Sequence, residues 1–343
     1  MAQEKLHVCV AGVPRSYQNP FADGRWLTEN HIQQINAVSP RIELTHITEK
    51  ELSAGKLPAY PADILLLEAS GDEPYLDEIS APNVGKLVKP NLKWVQACSS
   101  GVGHILELGL FSEDVHLTNA AGVHAAALSE SVMAAILFHT KLLGERIENQ
   151  RQRRWQELHC SELTAQTLLI IGTGKIGCEA AKRARAFGMR ILGLRRSGDP
   201  HDSFDQMYGA PGLQEALAQA DFVLIACPLT SETKRMIAAT EFSVMKPNAY
   251  LINVARGKII DESALLNAVV SGQIGGAFLD AFAEEPLPDE HPFWATPGIT
   301  LTPHDSHSSP LIGDNIVSLF TDNLRRQIAG DPLINQIDYQ KGY

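Results

Sequence analysis

Short, nearly unbroken apolar runs recur along the chain, each closed by small or polar residues and followed by a stretch with helix-compatible spacing. The runs predict strands over 6–13, 41–47, 62–68 and 93–97, then over 168–171, 189–194, 220–227, 249–254, 276–281 and 299–302. Runs of this kind suit strands covered on both faces, as in a parallel sheet flanked by helices. Between them the pattern predicts helices over 27–37, 178–187, from 240 or 241 to 245, 261–270 and 311–329. Asp261 supplies an N-cap with Gly272 just past the end, and Ser309-Pro310 opens the last helix, which Gly330 closes. A mostly apolar segment over 122–143, ending at Gly144, reads as a helix buried on most sides. Residues 149–157 read as a solvated helix face with Trp155 as its one anchor. Strand–helix alternation throughout predicts an α/β protein of two doubly wound parallel-sheet domains, Rossmann-like or flavodoxin-like.

The run Leu168-Leu169-Ile170-Ile171 leads into Gly172-Thr173-Gly174-Lys175-Ile176-Gly177, the spacing G-x-G-x-x-G. After a strand and before a helix, such a turn binds the phosphates of a dinucleotide. Gly172 turns the backbone tightly, Gly174 lets it approach the pyrophosphate, and Gly177 lets the helix lie near the sheet. Free N–H groups at the helix start then face the anion.

The end of the next strand meets the adenosine ribose, where an acidic residue would accept the 2'-hydroxyl of NAD. Arg195, Arg196 and Ser197 stand there instead. Guanidinium grips a 2'-phosphate, and charged hydrogen bonds contribute on the order of 1.5–3 kcal/mol each, so NADP is expected over NAD by at least tenfold, with NAD still possible. The first domain has Ala11-Gly12-Val13-Pro14 after its opening strand and no glycine fingerprint, which suits it to substrate rather than cofactor. Its Cys98-Ser99-Ser100-Gly101-Val102-Gly103-His104 loop offers backbone N–H groups to a carboxylate or is a plain flexible loop, and His104 alone reads as structural.

At 343 residues, with 44% hydrophobic and 20% charged, the chain can bury two cores. Its formal charge of -11 argues against nucleic-acid or anionic-membrane partners. No signal peptide or spanning segment is expected, and five cysteines without C-x-x-C fit reduced thiols in a cytoplasm, with no metal site.

Strand ends deliver Arg256, Asp280 and His304 to the ligand crevice of an open parallel sheet. With Asn253-Val254-Ala255-Arg256-Gly257, Leu279-Asp280-Ala281-Phe282-Ala283-Glu284-Glu285-Pro286 and Thr302-Pro303-His304, the chain resembles the D-isomer-specific 2-hydroxyacid dehydrogenases over nearly its whole length. That resemblance implies a homodimer reducing small 2-keto acids, with the active site in a cleft between the domains. It implies a substrate domain from 1–119 plus 309–343 and a dinucleotide domain over 120–308. Arg256 would bind the substrate carboxylate and carbonyl, His304 would be the acid/base and Glu285 its partner. Cys227, Pro228, Thr233, Val254, Ala255 and Asp280 would line the cofactor groove, Asp280 beside the nicotinamide carboxamide. Ser99, Ser100 and Gly101 would hold the substrate carboxylate. The chemistry asks for such residues independently: hydride reaching a ketone leaves charge on oxygen, which needs a fixed cation and a proton donor working near neutral pH. Gly103, Ser131 and Asp305-Ser306-His307 depart from the family's usual residues and bear on substrate choice; His307 reads as a pocket wall. Formate dehydrogenases share the scaffold but carry glutamine where Glu285 stands. A rival reading is a nicotinamide-sensing, corepressor-like binding protein without turnover, against which the intact Arg256, Glu285 and His304 set argues.

Overall fold

The computed structural model describes residues 4–14, 25–69 and 79–339; the side chain of His104 lies outside the described set. The chain divides into two compact units, Met1–His124 with Ser308–Tyr343, and Ala125–His307.

In the first unit, β1 (Leu6–Ala11), β2 (Ile42–Ile47), β3 (Ile64–Leu67), β4 (Trp94–Ala97) and β5 (His116–Thr118) form a parallel sheet in the order β2-β1-β3-β4-β5. The second unit holds β6 (Thr167–Ile171), β7 (Arg190–Leu194), β8 (Gln206–Tyr208), β9 (Phe222–Ile225), β10 (Tyr250–Asn253), β11 (Gly276–Leu279) and β12 (Ile299–Leu301). These pair in parallel in the order β12-β11-β10-β9-β6-β7-β8, so the strand order reverses beside β6. Every residue of β3, β4, β6, β9, β10 and β11 is buried, which is the physical reason those strands read as unbroken apolar runs.

The helix Ile312–Ala329 returns to the first sheet and packs Ile316, Val317, Phe320 and Leu324 among Val8, Val10, Leu66 and Trp94. Trp94 stacks on Phe320 with ring centroids 5.2 Å apart. Asn323 Nδ2 fixes the register of the helix by donating to Gln96 Oε1 at 3.1 Å and to the Ile334 carbonyl at 3.0 Å. The helix ends as expected at Gly330, whose φ of +79° is left-handed. Its first turn begins at Ile312, after Ser309 Oγ has accepted the Leu311 N–H. Asp261 caps Glu262–Val270 through its side chain, which accepts from Ala264 N at 3.1 Å.

The helix Ala125–Thr140 buries Leu128, Val132, Met133, Ala135 and Ile136, and it packs against Lys175–Ala186, whose Ala180, Ala181 and Ala184 are fully buried. Small residues on one helix let the two approach closely. At Leu142, with φ +52°, the chain breaks into Leu143–Arg151, a helix with no buried residue. Here the sequence expectation fails. The second helix stops at Arg151 rather than continuing to 157, and Trp155 is 100% exposed, so it anchors nothing among the described residues. An indole with no apolar partner in its own unit cannot hold a charged segment down. Among the described residues no single helix is long and apolar enough to cross a membrane.

Candidate active site

The glycine turn leaves β6 as its spacing requires. Gly172 has φ +104°, and a β-carbon there would lie 2.5 Å from Cys227 N, so the turn is pressed against the chain leaving β9. A β-carbon on Gly177 would strike the Gly172 carbonyl. Gly174 is different, because a β-carbon there would meet nothing within 4 Å. The two flanking glycines are needed by the protein's own packing, and the middle one faces open space at a helix N-terminus, the cradle a pyrophosphate needs. The helix begins at Lys175, three residues earlier than its polar pattern suggests, with Lys175 exposed and Ile176 packed against the buried helices.

At the end of β7, Arg195 folds over the following loop and donates from Nη2 to the Asp199 carbonyl at 2.8 Å. Its Nε is buried without an acceptor. Arg196 pairs with Glu232 at 2.8 Å, both side chains largely exposed, and Ser197 is exposed beside them. Exposed pairs of this kind contribute only about 0–1 kcal/mol, so a phosphate can displace Glu232 at little cost. After β9, Thr233 Oγ1 donates to the Pro228 carbonyl at 2.7 Å and accepts from Thr230 N at 2.7 Å, closing the loop that follows Cys227. Burial pushes the Cys227 thiol up to about 11, leaving it a neutral apolar wall.

The loop after β10 is shaped by a buried side chain. Asn253 accepts from Ala255 N at 3.0 Å and donates to the Arg256 carbonyl at 3.1 Å, fixing the path through Val254 and Ala255. Arg256 is exposed at its end, with Nη1 donating to the Ala255 carbonyl at 2.7 Å. A β-carbon on Gly257 would overlap the backbone of Phe282, so the Arg256 loop lies directly on the loop that carries Glu285. Glu285 Oε1 accepts from Phe282 N at 2.9 Å, and Oε2 lies 2.8 Å from His304 Nδ1. The carboxylate therefore engages one ring nitrogen and leaves Nε2 as the other. Partial burial works against the charged Glu285, but the His304 hydrogen bond, the Phe282 N–H and the charges of His304 and Arg256 outweigh it and hold the carboxyl below its usual range.

A carboxyl depressed by folding stabilises the fold where it is ionised. The stability difference between wild type and Glu285→Gln is expected to stay constant from neutral pH down to the ordinary value near 4.5, then to vanish as pH falls through the lower folded value. Denaturant melts of both proteins from pH 3 to 7 check this; a gap that widens below pH 4.5 has the wrong sign.

In the first unit, the serine–glycine loop is held by its own hydroxyls. Ser99 Oγ donates to the Gly101 carbonyl at 3.0 Å, Ser100 Oγ to the Ala120 carbonyl at 3.2 Å, and Asn119 Nδ2 to the Ser100 carbonyl at 2.8 Å. Both serine hydroxyls thus serve the loop's shape, which leaves its backbone N–H groups as the donors an anion could use.

Residues 133–306, half of the chain, match the NAD binding domain of the D-isomer specific 2-hydroxyacid dehydrogenases. The chain belongs to that family. It is 30% identical to glyoxylate/hydroxypyruvate reductase B of Yersinia enterocolitica over 258 residues, 73% of this chain and 79% of that one. It superposes on the crystal structure of a family protein from Aeromonas salmonicida with a TM-score of 0.79 and 32% identity, covering 98% of this chain and 99% of that chain. The NADPH-dependent glyoxylate/hydroxypyruvate reductase of Sinorhizobium meliloti, in complex with NADP and sulfate, shares the fold at a TM-score of 0.78 and 24% identity, over 99% of this chain and 100% of that one.

In this 2-hydroxyacid dehydrogenase the second unit brings Arg256, Glu285 and His304 onto neighbouring loops, whereas Ser99, Ser100 and Gly101 belong to the first unit. Sequence reasoning named those residues but not the ones that shape their loops. Asn253, Gly257 and Thr302 stand inside quoted motifs without a role, and Glu232 is not singled out. An asparagine closing a strand and a glycine just after the arginine were the available signals.

Proposed function

We propose that this dehydrogenase reduces small 2-keto acids to D-2-hydroxy acids with NADPH. The observation that carries the reading is the His304–Glu285 contact at 2.8 Å with Arg256 close enough to act on the same carboxylate. When bound, the nicotinamide supplies the hydride. Arg256 offers a fixed cation to the substrate carboxylate and to the oxygen that gains charge, and His304 Nε2 gives that oxygen its proton. Glu285 holds the ring by Nδ1 and balances the imidazolium. The N–H groups of Ser99, Ser100 and Gly101 are the donors for the substrate carboxylate.

Glyoxylate and hydroxypyruvate, the substrates in the names of the relatives, and a longer aliphatic keto acid form the test panel. Loss of the nicotinamide absorbance at 340 nm with at least one of them is the expected result; NADPH binding with no turnover on any would overturn the reading.

The Arg195-Arg196-Ser197 end of β7, including the buried unpaired Nε of Arg195, supports NADP. Arg195→Asp is expected to shift the NADP:NAD ratio of kcat/KM toward NAD by tenfold or more, since it replaces a charged donor with a repelling carboxylate. An unchanged ratio would remove Arg195 from cofactor choice. We further infer a cytoplasmic homodimer, on the family resemblance; sedimentation should give twice the 37.4 kDa chain mass.

A further inference from the structure

One connected set of hydrogen bonds surrounds the turn that carries His304. Oδ1 of Asp280 accepts three donors at once, the Thr302 hydroxyl at 2.7 Å, Asp305 N–H at 3.1 Å and Ser306 N–H at 3.0 Å. Asp280 is 1% exposed and Ser306 7%. The Ser131 hydroxyl, reaching from the helix Ala125–Thr140, donates to the Ser306 carbonyl at 3.0 Å, and the Ser306 and Thr302 hydroxyls lie 3.3 Å apart. Both backbone polar groups of Ser306 are thus taken by side chains distant in sequence. His304 itself is tied to its surroundings through Thr302, whose carbonyl accepts its N–H at 3.0 Å, and through Glu285.

His304 has a φ of +55°, a left-handed conformation that a histidine keeps only when its neighbours impose it. A buried carboxylate, for its part, must find donors inside the protein. Here the two requirements meet: every donor recorded on Asp280 comes from residues 302–306, on either side of the histidine. Ser131 and Ser306 supply the second tether.

We propose that Asp280 and Ser131 are positioning residues for His304, holding the Thr302–Ser306 turn from the end of β11 and from the helix so that the imidazole meets Glu285 and the substrate at a fixed place. The proposal rests on the reading of His304 as acid/base and adds to Asp280 a function separate from any contact with the nicotinamide.

Ser131→Ala removes one bond, and Thr302→Val the bond to Asp280 with the hydroxyl contact to Ser306, without touching the glycine turn. Displacement of a catalytic group by about 1 Å costs roughly a hundredfold. Asp280→Leu is therefore expected to lower kcat about a hundredfold, and Ser131→Ala and Thr302→Val about three- to tenfold, with NADPH Kd and keto-acid KM of these last two within about twofold of wild type. Asp280→Asn, whose amide oxygen can take the same three donors, should restore most of the rate. Two readouts do not depend on turnover: hydrogen exchange of the Asp305 and Ser306 amides should accelerate in Asp280→Leu, and the His304 imidazole NMR signals should move in Ser131→Ala. If Asp280→Leu does not fold, Ser131→Ala and Thr302→Val decide. Wild-type kcat together with unmoved imidazole signals in both overturns the proposal, as does a loss confined to NADPH Kd in the Asp280 variants. An active His304→Ala would sink the acid/base reading instead, and the exchange and NMR results would still judge the tethers.

Discussion

Replacing His304 with alanine is expected to lower kcat by 10²- to 10⁴-fold while NADPH binds as before. A positioned acid/base contributes about that much by giving a proton as charge develops on the reacting oxygen. Binding should survive because the glycine turn at 172–177 and the arginines after β7, the proposed cofactor contacts, are built from other strand ends. Stopped-flow absorbance at 340 nm reads the first quantity and quenching of NADPH fluorescence the second. Glutamine at 304 preserves bulk and some hydrogen bonding, so it separates loss of a proton donor from collapse of the turn. Turnover within tenfold of wild type in both variants would take the role away from His304, and equal loss of rate and binding would point to local unfolding.

Arg256→Leu is the second large effect. Its guanidinium can present two parallel N–H donors to a carboxylate, each charged hydrogen bond contributing about 1.5–3 kcal/mol, so kcat/KM for a 2-keto acid should fall by roughly 10²- to 10⁴-fold. Arg256→Lys should recover only part of the loss, because an ammonium lacks the planar fork. The backbone path to residue 256 depends on Asn253 and on the close approach at Gly257, so neither change should alter the fold. A comparison of keto acids with simple ketones sharpens the result: if Arg256 grips the carboxylate, the variants lose their preference for the acid. Equal losses on both would assign the arginine to the carbonyl alone.

The central strands were legible because each is covered on both faces, which writes burial into consecutive residues: Leu65, Val95 and Val223 have no polar neighbour on either side within their strands except Gln96. The edge strands β5 and β8 escaped notice. Each is three residues long with polar members, His116 and Thr118 in one and Gln206 in the other, and nothing in so short a stretch separates strand from loop. Trp155 misled for a related reason: an indole usually marks burial, but pattern alone cannot say whether a partner exists. In the candidate site, the residues with chemistry could be named from motifs. Those that hold them could not, since Asp280 meets its donors 22 to 26 residues away and Ser131 meets Ser306 across 175. Hydrogen bonds over such separations leave no local pattern.

The φ of +55° at His304 also bears on stability. An L-residue with a β-carbon pays about 1–2 kcal/mol to sit in that region, whereas glycine does not. A chain selected only to fold well would put glycine at 304. The imidazole is kept where the backbone disfavours it, so glycine at 304, which erases the proposed proton donor, can make this protein harder to unfold, and thermal stability is a poor guide to which of its variants still work.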